Sequence, residues 1–227
     1  MLANIYLHYV FDLWADIWRR QKAKGEVIIV RFADDIVMGF QHEVEAQRFL
    51  VELRERFCKF NLTLHNEKTR LIEFGRFAAA KHERRGAGKP KTFNFLGFTH
   101  ICGKTRKDGS FTIRRQTQRK KLAVKLKQLY QVMRERMHEP IQKVGVWLKS
   151  VLTGHYRYYG VPSNGPAMGY FRTRVTRLWL QVLRRRSQKT SLTWERMDRL
   201  ARTWLPIPRI YHLYPSQRLR IRPAIRT

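Results

Sequence analysis

Two adjacent aspartates, Asp34 and Asp35, are the residues whose type and spacing point most directly to chemistry. Apolar runs at residues 27–31 and 36–40 flank them, which predicts a tight β-hairpin with both aspartates at the turn. Carboxylates presented in this way can hold Mg²⁺ against phosphate oxygens. Asp-Asp is also ordinary turn chemistry, so this stretch alone leaves both interpretations open.

The charge of the chain is strongly positive and unevenly distributed. The 227 residues carry a net charge of +30. Residues 1–100 contain 17 Lys/Arg against 12 Asp/Glu, whereas residues 101–227 contain 30 against 5, a net of +25. A polyanion partner is expected, and nucleic acid is the commonest one. A membrane surface is disfavoured because the basic residues lie in segments that also carry apolar stripes.

Composition excludes several other classes of protein. Hydrophobic residues make up 43% of the chain, enough for a sizeable core and too many for a disordered basic tail. No signal-peptide pattern and no apolar run near 18 residues is present, so we expect a cytoplasmic protein that does not enter a membrane. Cys58 and Cys102 form neither a disulfide framework nor a zinc-binding pattern.

Hydrophobic periodicity in the first part of the chain predicts a mixed α+β layer. The spacing from Leu2 to Ile17 predicts an opening helix that ends near Gly25. No cap precedes this helix, so we expect the chain to begin partway through a longer fold. After the hairpin, the pattern predicts a helix over residues 43–59, a short strand at Leu62 and Leu64, a turn at 66–68 and extended structure over 69–74.

A Gly-, Lys- and Arg-rich stretch at residues 75–92 predicts a loop. It serves as a solvated connector, and Arg84, Arg85 and Lys89 make it a candidate phosphate contact. Residues 92–100 then predict a strand interrupted by Gly97, where a glycine indicates close backbone approach. A hairpin turn at 107–110 and a returning strand at 111–114 follow.

From about residue 116 the pattern changes to long helices. Apolar spacing predicts helices near 116–137, 141–159 and 166–187, which form a three-helix bundle. No acidic residue lies between Arg157 and Trp194, and an ordinary solvated helix face would mix signs. The tail holds a short helix from Thr193 and then prolines, aromatics and arginines, which either stack on bases or cover a small core.

Five motifs in order resemble the reverse transcriptase/maturase proteins of bacterial group II introns, and the similarity covers essentially the whole chain. Phe-Ala-Asp-Asp at residues 32–35 is similar to the metal-binding palm motif of that family. The other four are the next palm motif at residues 64–69, the primer grip at 93–100, and the thumb or maturase-specific segments at 154–162 and 183–188. No single motif is specific, but their order is.

The resemblance implies a partial polymerase palm followed by an all-helical thumb. It divides the chain into a palm part (1–114), a thumb/maturase domain (115–190) and a basic Pro/aromatic-rich tail (191–227). The opening helix resembles one that lies within the family's palm. The fingers and the upstream strand with the other metal-binding aspartate are therefore expected to be missing, and a separate chain is one possible source of the fingers.

The resemblance also implies roles for individual residues in RNA-directed DNA synthesis. Asp34 would be the principal ligand of this hairpin in a two-Mg²⁺ site, with Asp35 beside it and Lys68 near the departing pyrophosphate. Leu96, Gly97 and Phe98 would hold the primer backbone. Basic side chains would bind group II intron RNA or an RNA–DNA duplex, namely Arg84, Arg85, Lys89, Arg114, Arg115, Arg119, Lys120, Arg157, Arg172, Arg174, Arg177, Arg184, Arg185 and Arg186.

The enzymatic status of the chain stays open at the level of sequence. Two metals about 4 Å apart need carboxylates from both sides, and the chain supplies one side. Asp12 and Asp16 lie on the opening helix rather than on a strand. We therefore expect little or no polymerase activity from the isolated chain. The alternative is a non-catalytic, maturase-like splicing factor that binds RNA.

Overall fold

The computed structural model describes residues 2–88, 90–105, 108–186 and 192–213. The chain divides into two compact units, Met1–Glu73 and Phe74–Thr227. Both combine helices with a small antiparallel sheet, which confirms the predicted α+β class. The predicted boundaries at residues 114/115 and 190/191 come from the family resemblance and stay predictions.

The first unit opens with the predicted helix. It consists of α1 (Leu2–Leu7), a π-helical segment (His8–Asp12) and α2 (Leu13–Gln21). Its core side carries Val10, Phe11, Ala15 and Trp18, each at most 2% exposed. The apolar stripe from which the helix was predicted is instead 45% to 83% exposed, at Leu2, Tyr6, Tyr9, Leu13 and Ile17. The helix is therefore apolar on two sides, of which one packs against the core.

The predicted hairpin and the following helix complete the core of this unit. Strands β1 (Val27–Phe32) and β2 (Asp35–Phe40) pair antiparallel, and α3 (Glu43–Lys59) packs against them. The helix has the bounds expected from its apolar spacing. Its side chains Phe49, Leu53 and Phe57 join Trp18 and Val27 in one buried cluster.

The short strand predicted at Leu62 and Leu64 is wrong, since the structure has no strand between residues 62 and 74. Leu62 and Leu64 are half-buried and their neighbours exposed, so the alternation of side chains is present. A strand also needs a pairing partner, which this segment lacks. The predicted turn at 66–68 is confirmed, with the amide groups of Lys68 and Thr69 donating to the carbonyl of His65.

The predicted connector at residues 75–92 is also partly wrong, because it contains α4 (Arg76–Arg84). Three consecutive alanines at 78–80 supply strong helix formers, and Ala78 is only 3% exposed. The many lysines and arginines around them obscured this signal. Lys89 lies outside the described residues.

The second unit contains a three-stranded antiparallel sheet in the order β3 (Phe93–Phe95), β4 (Phe98–Lys104) and β5 (Phe111–Thr117). The strand predicted to be interrupted by Gly97 is two strands joined by a tight turn. Leu96 and Gly97 have φ values of 47° and 80°, as in a type I′ turn. Lys107, the first residue of the other predicted turn, is not among the described residues.

Four helices share the large core of the second unit: α5 (Arg119–Glu135), α6 (Ile141–Tyr159), α7 (Gly165–Arg184) and α8 (Trp194–Trp204). The three predicted long helices are present. The short helix predicted in the tail is present too, and its Met197 and Ala201 are buried in the same core. The described start of the tail therefore belongs to the bundle, with Leu205 only 1% exposed.

Asn164 joins the sheet to this helical core. Its side chain is fully buried and accepts a hydrogen bond from the Thr117 amide at 2.9 Å. Its Nδ2 donates to the Thr117 hydroxyl and to the Tyr159 carbonyl. A buried amide satisfied on both sides fixes its neighbours in place, so the end of β5 is held against the start of α7.

Candidate catalytic hairpin and nucleic-acid interface

Asp34 and Asp35 occupy different positions in the hairpin. Phe32 pairs with Asp35 across the strands, which leaves Ala33 and Asp34 as the two turn residues. The prediction that both aspartates lie at the turn is therefore correct for Asp34 and wrong for Asp35, the first residue of β2. Both side chains are exposed, and neither has a hydrogen bond or ion pair with any residue that the structure describes.

Arg31 anchors this turn to the opening helix. Its Nε and Nη2 atoms lie 2.7 and 2.6 Å from the two carboxylate oxygens of Asp12. Its Nη1 donates to the Ala33 carbonyl at 2.9 Å. The bidentate pair fixes the guanidinium, and the third bond fixes the backbone beside Asp34. The Arg31 hydrogen bond holds the pKa of Asp12 below its usual value.

Arg31 was not among the predicted site residues, although the sequence carries a signal for it. Val27, Ile29 and Arg31 alternate along β1 and so share the face that packs toward the core. A charged residue on an inward-facing register position needs a partner. That partner, Asp12, is 19 residues away in sequence, so local patterns do not reveal the pairing.

The carboxylates fit part of a magnesium site. Asp34 and Asp35 offer oxygen donors, the type of ligand that Mg²⁺ prefers. Asp12 is paired with Arg31, and Asp16 is paired with Arg19 and Arg20. Within the described ranges no group of three or more His, Cys, Asp or Glu side chains is arranged to hold a metal ion. In such a site the hairpin would supply some of the ligands, and phosphate, water or further carboxylates would have to supply the rest.

Lys68 lies in the turn at 66–68 with its side chain exposed. No ion pair joins it to either hairpin aspartate. Its predicted role near a departing pyrophosphate stays a prediction.

The turn predicted to grip a primer is attached to the helical bundle. The Tyr158 hydroxyl donates to the Leu96 carbonyl at 2.8 Å, and the Gln118 amide donates to the Gly97 carbonyl at 3.0 Å. A β-carbon on Gly97 would lie 2.8 Å from the Tyr159 hydroxyl. The close approach expected at this glycine is therefore made to Tyr159 of the chain itself.

Phe98 serves this attachment through its ring. It is 8% exposed, and its ring centroid lies 5.9 Å from that of Tyr158 and 5.1 Å from that of Tyr159. A buried ring cannot contact a primer directly, so a primer contact at Phe98 would use the backbone. Tyr158 and Tyr159 lie in the predicted motif at 154–162, but their role was missed because the turn is about 60 residues away.

The predicted basic contacts fall into three groups. Seven are exposed with side chains that make no ion pair or hydrogen bond inside the described structure: Arg84, Arg85, Arg119, Lys120, Arg157, Arg177 and Arg185. Three are half-buried in the second unit: Arg114, Arg115 and Arg174. Three donate to carbonyl groups of the chain: Arg172 to Ala201 and Leu205, Arg184 to Leu192, and Arg186 to His138.

Arg172 differs from the exposed arginines in what it contacts. Its guanidinium donates to the Ala201 carbonyl in the last turn of α8, which also accepts the Leu205 amide, and to the carbonyl of Leu205, the residue that follows the helix. Arg172 therefore has a structural role in the bundle. The seven exposed residues are the better candidates for phosphate contacts.

Comparison with known proteins finds one family model that matches part of the chain. Residues 1–100 match the family model described as reverse transcriptase (RNA-dependent DNA polymerase). No curated protein matches the chain. The matched stretch includes both the Asp34–Asp35 hairpin and the Leu96–Gly97 turn, and ends in β4. That stretch is similar to an RNA-directed DNA polymerase domain of the reverse transcriptase type, a family whose members act on nucleic acids.

Among the described residues, each helix is either too short or too polar to cross a bilayer.

Proposed function

We propose that the chain is a nucleic-acid-binding protein of the group II intron reverse transcriptase/maturase type. The observation that carries the proposal is the reverse transcriptase match over residues 1–100, which contains a β-hairpin presenting two exposed carboxylates that have no partner among the described residues. In this proposal Asp34, with Asp35, holds Mg²⁺ against phosphate oxygens, and Lys68 supplies positive charge.

The second unit supports a role in RNA binding. Residues 101–227 have a net charge of +25, and several of their arginines are exposed without partners in the described structure. Such side chains bind phosphates and 2′-hydroxyls rather than base edges, which suits a structured RNA or an RNA–DNA duplex. The Leu96–Gly97 turn is held by the same bundle, so backbone and thumb contacts would act as one body.

Polymerisation requires more than the hairpin provides. Two-metal phosphoryl transfer uses carboxylates on both sides of the metal pair. We propose that the purified 227-residue chain does not extend a primer, and that catalysis needs further carboxylates on the other side of the metal pair. Mg²⁺-dependent primer extension by this chain, abolished by Asp34→Ala, would overturn that part of the proposal.

A second candidate function is a non-catalytic splicing factor that retains only RNA binding. The high positive charge of residues 101–227 favours it, because that charge is independent of the hairpin. The Asp34→Ala/Asp35→Ala double variant separates the two. Under the splicing-factor hypothesis, its affinity for a group II intron RNA stays within about twofold of the unmodified chain, with and without Mg²⁺. An affinity that depends on the aspartates and on Mg²⁺ contradicts this hypothesis and supports a metal-holding hairpin.

The basic interface itself has a separate test. Arg177→Gln and Arg185→Gln should each weaken RNA binding and reduce its salt dependence by about one counterion per lost phosphate contact. Arg172→Gln removes the same charge from a residue whose guanidinium donates to the Ala201 carbonyl of α8. It should lower the free energy of unfolding and leave the salt slope of RNA binding almost unchanged. Affinity that is flat between low and moderate salt would refute the basic interface and, with it, the proposed RNA-binding function.

A further inference from the structure

The helical unit contains a pocket that the proposed function does not use. It has a volume of about 400 Å³ and is formed by the end of β5 and by side chains of α5 and α6. This volume lies in the range of small-ligand sites. We name it the lysine-rimmed pocket and define it by six of its lining residues: Lys120, Lys121, Val124, Lys125, His155 and Tyr159.

The rim of the pocket is cationic. Lys120, Lys121 and Lys125 come from the first two turns of α5, and none forms an ion pair with another described residue. No acidic side chain lines the pocket. Three like charges around one opening repel one another unless an anion lies between them, so the rim favours an anionic ligand.

Two aromatic side chains, His155 and Tyr159, line the wall of the pocket beside Leu122. The ring centroid of His155 lies 3.9 Å from that of Phe171 and 4.5 Å from that of Tyr159. Burial of His155, with Lys125 nearby, lowers its pKa to about 4. His155 is therefore neutral near pH 7, and positive charge is confined to the rim. Val124 at the mouth is 57% exposed and adds apolar surface.

Two aromatic side chains and three lysines around one pocket match one chemical class of ligand, a planar base that carries phosphates. Stacking on aromatic side chains suits any base, because each base has a π-face. The lysines would contact the phosphates on either side. A lipid headgroup would match the charge but not the aromatic wall.

We propose that the lysine-rimmed pocket holds one unstacked base of a single-stranded segment of the bound RNA. This inference rests on the proposed RNA-binding function and assigns a part of the contact that lies outside the family match. Of the pocket residues, only Lys120 was predicted from sequence.

The test compares two substitutions at valines that are equally exposed. Val124→Trp fills the pocket, whereas Val146→Trp adds the same ring to α6 outside it, and both valines are 57% exposed. Fluorescence anisotropy measures binding of an unstructured RNA of about 12 nucleotides, a length within the usual range of single-strand sites. A matched probe carries abasic nucleotides in place of the bases.

We expect Val124→Trp to weaken binding of the base-bearing probe by about tenfold, the effect of losing one stacked base. Binding of the abasic probe should change by less than about twofold, and Val146→Trp should change neither. Lys125→Gln should weaken the binding of both probes and reduce the salt dependence of that binding. Far-UV circular dichroism checks folding, and Gln128→Trp provides a second blocking variant at another lining residue.

Several results would overturn the assignment. Equal affinities for Val124→Trp and Val146→Trp, or equal affinities of the two probes, show that the pocket holds no base. If Val124→Trp weakens the binding of free ATP but leaves oligonucleotide binding unchanged, the pocket binds a free nucleotide instead. If RNA binding persists in these cases, the proposed function survives the loss of the pocket. If no variant or parent chain binds RNA, both proposals fail.

Discussion

The stretch that matches the family model contains two tight β-turns, and different kinds of interaction stabilise them. Ala33–Asp34 in the first unit and Leu96–Gly97 in the second each join a hairpin through two residues, and each includes a non-glycine residue with positive φ. The first turn is fixed by a guanidinium paired with Asp12. The second is fixed by neutral hydrogen bonds and by tyrosine rings.

The two turns are stabilised differently because they expose different chemical groups. The first leaves two carboxylates exposed, and a nearby fixed positive charge on Arg31 holds the backbone beside them. The second presents no charge, so aromatic packing suffices to position its amides. The first turn is therefore expected to respond to pH and the second to steric change.

Gly97→Ala should have the largest effect. Its φ of 80° is a left-handed conformation, which costs a residue with a β-carbon about 1–2 kcal/mol. The new methyl group would also lie 2.8 Å from the Tyr159 hydroxyl. We expect a loss of about 2–3 kcal/mol in the free energy of opening of β3–β4, measured by amide hydrogen exchange.

Gly109→Ala is the matched control for Gly97→Ala. Gly109 has a similar φ of 69°, but no atom lies within 4 Å of the position of a new β-carbon. It should show the conformational cost alone. Equal losses at the two glycines would contradict a steric role for Tyr159.

Replacing Asp12 should release the first turn. Asp12→Ala leaves Arg31, whose side chain is only 15% exposed, without its bidentate partner. We expect a loss of about 2 kcal/mol in the opening free energy of β1–β2, typical for hydrogen bonds to charged groups. The surface pairs of Asp16 provide the control, since Asp16→Ala should change this free energy by less than about 0.5 kcal/mol.

The same pair predicts the pH response of the first turn. The pKa of Asp12 is lower in the folded chain than in the unfolded chain. Its contribution to stability is therefore complete above the unfolded pKa of about 3.9 and is lost as pH falls through the folded value. Protection of β1–β2 should decline in that acidic range, and the decline should be smaller in Asp12→Ala, where only Glu52 keeps a lowered pKa among the carboxyl groups of this unit with a resolved shift. A parallel decline in β3–β4 would contradict the contrast between the turns.

Much of the fold was predictable because its patterns are local. The apolar spacing in α3 and α6 predicted both helices with the bounds that the structure has. The extended segment around Leu62 shows the limit, since alternation predicts side-chain burial but not a pairing strand. Helix α4 was missed because lysines and arginines masked its alanines.

In the candidate site, too, local patterns were predictable and contacts between distant residues were not. Asp34, Asp35 and the glycine turn were found because each motif is contiguous in sequence. The residues that position them were not found from the sequence. Arg31 is 19 residues from its partner Asp12, and Tyr158 is 62 residues from its partner Leu96. These partnerships depend on tertiary packing, which a single sequence does not specify locally.

Tyr158→Phe tests the hydrogen bond of the second turn. The hydroxyl donates to the Leu96 carbonyl, while the ring packs against Phe98. Removing only the hydroxyl should lower the opening free energy of β3–β4 by about 1 kcal/mol, with no dependence on pH below 7. Tyr170→Phe, at a tyrosine of similar exposure (54% against 51%), should have no effect on this hairpin. Equal effects of the two substitutions would mean that the hydrogen bond does not hold the turn.

Ala33→Gly should have the smallest effect and the opposite sign. Ala33 has a φ of 55°, which glycine adopts without strain, and its exposed methyl group contributes little packing. Relief of strain is partly offset by the greater entropy of glycine in the unfolded chain, so we expect a gain of about 0.5 kcal/mol in the free energy of opening of β1–β2.

Leu96→Gly is the corresponding change in the second turn, where φ is 47°. Leu96 is half-buried, so the lost contacts should cancel the gain. A stabilising effect of similar size at both positions would show that backbone strain alone governs the two turns, and that their different surroundings do not matter.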